Sequence, residues 1–246
     1  MPDGLTLDKS SGAISGTPTK AASASVTITA PPQGTTTKNQ QTFTLTIHKG
    51  AADLGTLKVT NGGTKTTTFT YGDTITVSGT IKASGTAPQA NTLAAPGKNQ
   101  AALLLGGTQL TDPVAVAGNG SFTISYKTSE KGIQTTGQAQ ILTVKYGGSD
   151  DLNEGSAACS ITLNPKKVQA EVDGAITKPF DQTAKAHVTL KLAEGALVNS
   201  SDDVTVSAPD AAYEKTDVGN DIAINLGTLQ VDGNDKSFYQ VIAPRR

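Results

Sequence analysis

Thr74-Ile75-Thr76-Val77-Ser78-Gly79-Thr80-Ile81 places an apolar residue at every second position with threonine or serine between. Successive side chains of a strand point to opposite faces, so such a stretch is a strand with one face buried and one wet. The same pattern returns along the whole chain: Val26–Thr29, Phe43–Ile47, Ser121–Tyr126, Ile141–Tyr146, Ser160–Leu163, His187–Leu192, Asp203–Ser207, Ile222–Leu226 and Tyr239–Ile242. Turn chemistry separates these segments, as at Asn61-Gly62-Gly63, Gly118-Asn119-Gly120, Gly147-Gly148 and Asp232-Gly233-Asn234-Asp235. No window carries a sustained 3.6-residue period, and the abundance of β-branched residues, threonine above all, favours strands. The pattern predicts an all-β chain of tandem small immunoglobulin-like sandwich modules in an elongated arrangement.

Composition narrows the functional classes. The 246 residues contain no Trp, one Met, one Cys, two His, five Tyr and five Phe, and the aromatic share is 4%. So few aromatics suit several small cores better than one large one. A formal net charge of −1 gives no attraction to nucleic acid or to an anionic membrane. No run approaches the roughly 18 apolar residues of a membrane-spanning helix, so no membrane insertion is expected. Met1-Pro2-Asp3-Gly4 shows neither the basic nor the apolar region of a signal peptide, as expected of a segment lying inside a longer secreted protein. One cysteine makes no internal disulfide and no multi-cysteine metal site.

Breaks in the strand rhythm at His48-Lys49-Gly50-Ala51 and Asn164-Pro165-Lys166-Lys167 read as short linkers and divide the chain into 1–48, 49–165 and 166–246. The first piece is too short for a sandwich, which takes about 100 residues. Its apolar residues Leu5, Leu7, Ile14, Val26, Ile28, Phe43, Leu45 and Ile47 are therefore expected to lie against another surface, either the middle module or a second copy through self-association of 1–48.

Three resemblances follow from particular motifs. Pro2-Asp3-Gly4-Leu5-Thr6-Leu7-Asp8 with Gly12-Ala13-Ile14-Ser15-Gly16-Thr17-Pro18 resembles the C-terminal part of the family described as "putative Ig domain". Residues 49–165 resemble the bacterial Ig-like repeats of large adhesins, through Thr70-Tyr71-Gly72-Asp73-Thr74-Ile75-Thr76-Val77, Gly118-Asn119-Gly120-Ser121-Phe122 and Leu142-Thr143-Val144-Lys145-Tyr146-Gly147-Gly148-Ser149-Asp150. An Ala/Pro/Gly/Asn-rich insert at 84–99 departs from that family and reads as a long loop. Residues 166–246 are similar to the YDG repeat, with Phe180-Asp181-Gln182 at the namesake position, then Asp202-Asp203-Val204, Ala212-Tyr213, Asp217-Val218-Gly219 and Asp232-Gly233-Asn234-Asp235. Together they imply a non-enzymatic stalk or spacer of an adhesin-like protein at the surface or wall of a bacterium, Gram-positive by its lack of disulfides. Its partners are then the neighbouring modules of a longer surface protein. The alternative they imply is that one module itself binds a host protein or glycan.

Sites for chemistry are scarce. Neither histidine, His48 or His187, belongs to a catalytic motif, and no glycine-x-serine-x-glycine elbow, paired-histidine or phosphate-loop motif is present. Cys159 has no thiolate-stabilising neighbour in sequence and reads as a small buried apolar residue. Lys145 and Asn164 are the candidate partners for a Lys–Asn isopeptide crosslink. Calcium, which takes six to eight oxygens, has its best candidates in Asp150, Asp151 and Glu154, with further acidic turns at Asn199–Asp203 and Asp232–Asp235; solvated turns are the expected reading, so no catalytic residue and no cofactor is assigned.

Overall fold

The computed structural model describes residues 1–30, 39–84, 98–130 and 133–244. It is nearly all β, with no α-helix and one 3-10 turn, Lys236–Phe238, among the described residues. No helix is long and apolar enough to cross a membrane. The insert read as a long loop lies outside the described residues except at its ends.

Two compact units divide the chain: Met1–Lys58 with Val77–Ile124 and Leu142–Cys159, and Val59–Thr76 with Ser125–Ile141 and Ser160–Arg246. A six-stranded sheet is ordered Thr108–Gln109, Gln100–Leu105, Ala139–Tyr146, Gly155–Asn164, Thr68–Thr70, with Val114–Ala115 also on Gln100–Leu105. A four-stranded sheet runs Ser121–Lys127, Thr74–Thr80, Lys58–Asn61, Thr64–Lys65. The alternation does what its spacing demands. Ile75 and Val77 are fully buried, as are Leu103, Leu142, Val144 and Tyr146, while the threonines between stay nearer solvent.

In the first unit, Leu5–Leu7 pairs with Ile14–Gly16, and Ala22–Ala30 with Asn39–Ile47, as two separate antiparallel hairpins. Gly16 has φ 116°, and a Cβ there would sit 2.2 Å from the Gly4 carbonyl oxygen, so only glycine lets the Ile14-Ser15-Gly16 strand lie on the Gly4 turn. The longer hairpin is cleanly two-faced. Ala22/Ile47, Ala24/Leu45 and Val26/Phe43 pair on one side, Ser23/Thr46, Ser25/Thr44 and Thr27/Thr42 on the other. One end is anchored: the Ala21 N–H donates to Asp151 Oδ1 at 2.9 Å and Gly50 bridges to Leu152. Val26 is buried, but Ile28 and Phe43 remain exposed, so the expected cover of this face is confined to part of it.

The second unit corrects two expectations. Asn164-Pro165-Lys166-Lys167 is not a linker of coil: strand Gly155–Asn164 ends one residue before strand Lys166–Val172 begins. Val168 and Ala170 were hidden in sequence behind a Pro-Lys-Lys that looks like a turn, yet both are buried. The expected strand from His187 shortens to Leu190–Leu192, and His187 is exposed. Lys166–Val172 is central, pairing antiparallel with Leu190–Leu192 and parallel with Tyr239–Ile242. Two short pairs follow, Thr205–Ser207 with Gln230–Asp232 and Ala212–Tyr213 with Ile224–Asn225.

The acidic turns at 199–203 and 232–235 meet. The Asn234 N–H and Nδ2 both donate to Asp203 Oδ2, and the Asp203 N–H donates to Asp235 Oδ2. Gly233 stands between them at φ 110°, where a Cβ would fall 2.1 Å from the Asp203 carbonyl oxygen. Gly233→Ala should therefore cost about 3 kcal/mol through clash and backbone strain, read as a fall in Tm; an unchanged Tm would refute this packing.

Candidate functional site

A hydrogen-bonded polar cluster around a buried carboxylate lies in the second unit, and its parts come from distant stretches of sequence. Thr70-Tyr71-Gly72-Asp73 forms a turn closed by the Thr70 N–H donating to Asp73 Oδ2 at 2.8 Å and the Asp73 N–H donating to the Thr70 carbonyl at 2.9 Å. Buried Thr128 clamps it, taking the Gly72 N–H on Oγ1 and donating from Oγ1 to the Asp73 carbonyl. So held, the Tyr71 ring is 5% exposed, stacked 4.7 Å from the Phe238 ring and edge-on to Tyr239 at 5.4 Å.

Behind the rings sits Asp202, the only carboxylate buried among the described residues. Its Oδ2 accepts from the Tyr71 hydroxyl at 3.2 Å, from the Tyr239 hydroxyl and from the Asn199 N–H at 3.2 Å. Asn199 Nδ2 reaches Asp202 Oδ1, the Tyr71 hydroxyl oxygen and the Ser129 carbonyl. The Val198 N–H donates to the Tyr239 hydroxyl oxygen at 2.7 Å. No lysine or arginine pairs with Asp202 among the described residues, so hydrogen bonds alone carry its charge.

The electrostatics follow from these contacts. Burial pushes the Asp202 carboxyl up, but donors from Tyr239, Asn199 and Tyr71 outweigh it and hold the group below the ordinary carboxylate range. Desolvation and the neighbouring Asp202 charge raise Tyr71 to about 12, and burial with the hydrogen bond to Asp202 raises Tyr239 further. An ionised acceptor and two protonated phenols, shut away from water, hold their protons in place at neutral pH. The arrangement locks structure rather than moving protons.

The sequence candidates are placed elsewhere, each with its own partner. Asp150 pairs with Lys98 at 2.9 Å, Asp151 accepts from the Ala21 N–H, and Glu154 lies 4.0 Å from Lys145. No group of three His, Cys, Asp or Glu side chains converges as metal ligands among the described residues. Calcium or a chelator is accordingly expected to leave Tm unchanged; a rise of several degrees on calcium addition would show that Asp150, Asp151 and Glu154 rearrange around the ion. The Lys145 side chain is exposed and turned to Glu154, a poor setting for an isopeptide bond. Cys159 is half-buried, with its thiol pushed up by burial, and His48 is exposed at a strand end.

Of the residues in this cluster, the sequence singled out Tyr71 and Asp202 as parts of family motifs, Asn199 as part of an acidic turn and Tyr239 as the start of a strand. A tyrosine beside a glycine–aspartate turn and an Asp three positions after an Asn carry no signal that the two meet.

Comparison with protein families divides this cluster. Residues 164–245 match the YDG domain. Asn199, Asp202, Phe238 and Tyr239 therefore belong to the YDG domain, whereas Tyr71, Thr128 and Ser129 come from the stretch before it. Residues 1–48 match the family described as "putative Ig domain". Comparison with curated proteins and with solved structures returned no match. The residues matching the YDG domain are thus fastened to a turn and a loop that precede them in the chain, through Asp202, Asn199 and the ring contacts of Tyr71.

Proposed function

We propose that the chain is a non-enzymatic, load-bearing spacer in an extracellular bacterial surface protein, standing at the cell surface or wall of a Gram-positive organism between neighbouring modules. The observation that carries this is the parallel pairing of Lys166–Val172 with Tyr239–Ile242, in register from Lys166↔Tyr239 to Gln169↔Ile242. These are the first and last strands of the YDG domain. Tension entering at Lys166 and leaving at Ile242 runs along both strands in opposite senses and loads their evenly spaced bonds together in shear. An antiparallel terminal pair would instead open one bond at a time. Tyr239, on the last strand, is tied through Asp202 to the preceding turn, which closes the other route by which the domain could be peeled away. The Ig-like and YDG family matches support a surface-protein module.

Single-molecule pulling on the whole chain tests the reading: residues 164–245 should resist as one force peak that falls in Asp202→Ala. Extension without a peak, or identical low peaks for both proteins, would contradict it. Trypsin shaving of intact cells should release peptides of this chain; recovery only after lysis would contradict the surface location.

A further inference from the structure

A second feature of the YDG domain is untouched by a spacer role. Its irregular segments enclose a cleft of about 860 Å³, within the range of ligand sites. Its floor is Tyr213 and Ile224, directly opposite each other across their antiparallel pair. Lys178 crosses this floor with its ammonium 5.9 Å from the Tyr213 ring, and it is spoken for. Nζ donates to the Thr183 carbonyl, Thr183 Oγ1 and the Lys185 carbonyl, each at 2.8 Å, and pairs with Asp181 at 2.8 Å. The half-buried cation is held in place by these contacts, with no capacity left for an anionic ligand.

The walls are where the chain spends stability without structural return. Residues 164–245 expose four large hydrophobic side chains, Val172, Phe180, Val218 and Ile242, and the first three of these line this one cleft. Phe180 is 62% exposed and Val218 82%, and both line the cleft. Two non-glycine residues nearby in sequence lie in the left-handed region, Gln182 at φ 62° beyond Phe180 and Asp221 at φ 55° near Val218. Strained backbone and apolar side chains offered to water around one cleft are what a binding surface displays. With Asp181 neutralised by Lys178, the charges left at the rim are Asp217 and Asp221 against Lys215, an excess of one negative charge.

We infer that the cleft binds an extended peptide of another protein, seating an apolar side chain between Phe180 and Val218 and a flanking lysine or arginine against Asp217 and Asp221. A glycan is the less fitting occupant. The chain has no Trp to stack a sugar ring, and Lys178, beside Tyr213 in the lining, is already saturated. This inference does not depend on the spacer reading, since a peptide can dock on a load-bearing domain or on an unloaded one.

The test is fluorescence anisotropy of the whole chain with a labelled octapeptide carrying a central Phe-Leu flanked by lysines. The same peptide with glutamates for lysines, and chitotriose as a competitor, are the controls. Saturable binding should weaken by about tenfold in Phe180→Ser and in Val218→Ser. It should weaken severalfold with salt and in the double variant Asp217→Asn with Asp221→Asn, and it should be lost for the glutamate peptide. Both hydrophobic residues are exposed, so an unchanged Tm separates lost binding from lost folding. No saturable binding, equal binding of the glutamate peptide, indifference to Phe180→Ser and Val218→Ser, or displacement by chitotriose would each overturn the proposal.

Discussion

Asp202→Ala is expected to lower the stability of the unit built from Val59–Thr76, Ser125–Ile141 and Ser160–Arg246 by about 3–5 kcal/mol, a fall in Tm of roughly 10 °C or more. The magnitude comes from what the substitution strands. The Tyr71 and Tyr239 hydroxyls and the Asn199 N–H all donate to one buried carboxylate oxygen, and both tyrosines are buried. Removing a single donor costs less. Tyr71→Phe should cost about 1–2 kcal/mol, because Asp202 keeps its other partners, and Tyr239→Phe more, because it also orphans the Val198 N–H. Thermal unfolding of the three variants orders them Asp202→Ala, Tyr239→Phe, Tyr71→Phe from greatest loss to least. A loss of under about 1 kcal/mol for Asp202→Ala would place the cluster among ordinary surface contacts.

The second large effect is a stability plateau bounded on both sides by this same cluster. Asp202 has a folded-state pKa depressed below its unfolded value of about 3.9, so its contribution is present above that value and is lost as pH falls through the folded one. The tyrosines behave in the opposite sense. Their pKa values are raised, Tyr71 to about 12 and Tyr239 beyond it. Their contribution is present below the unfolded value of about 10 and is lost as pH rises through the folded ones. Denaturant melts between pH 5 and 9 should therefore give one constant stability, falling below about pH 4 and again above about pH 10. In Tyr239→Phe the alkaline fall should shrink. A wild-type stability that drifts steadily through neutral pH would point to a different dominant group.

What could be seen in the sequence, and what could not, follows from the range of the interactions. Strand character is local, written in the alternation at Thr74–Ile81 or Phe43–Ile47, and the structure has strands at both places. Although the close approach of Gly16 to the Gly4 carbonyl is seen only in the fold, the motif from Pro2 to Pro18 was likewise legible as a family pattern. Strand Lys166–Val172 was not, since its alternating Val168 and Ala170 follow a Pro-Lys-Lys with the composition of a turn. The aspartate joint was hidden for a different reason. Tyr71 and Asp202 are 131 positions apart, and Tyr71 and Asn199 are 128. No periodicity links residues at that separation, so only the folded chain shows that a tyrosine of one motif and an aspartate of another share a hydrogen bond. The acidic turns were legible as turns, but their carboxylates serve backbone N–H groups and lysines, uses that composition does not distinguish from ligation.

The central claim is that one aspartate makes the YDG domain and the Tyr71 turn a single cooperative structure. Native-state hydrogen exchange tests it at two amides that the joint itself protects: the Gly72 N–H, held by Thr128 Oγ1, and the Val198 N–H, held by the Tyr239 hydroxyl. The account predicts that both exchange with the same opening free energy, equal to that of unfolding the whole unit, and that Asp202→Asn lowers the two together. Unequal opening free energies, with the Gly72 amide unmoved by Asp202→Asn, would contradict it.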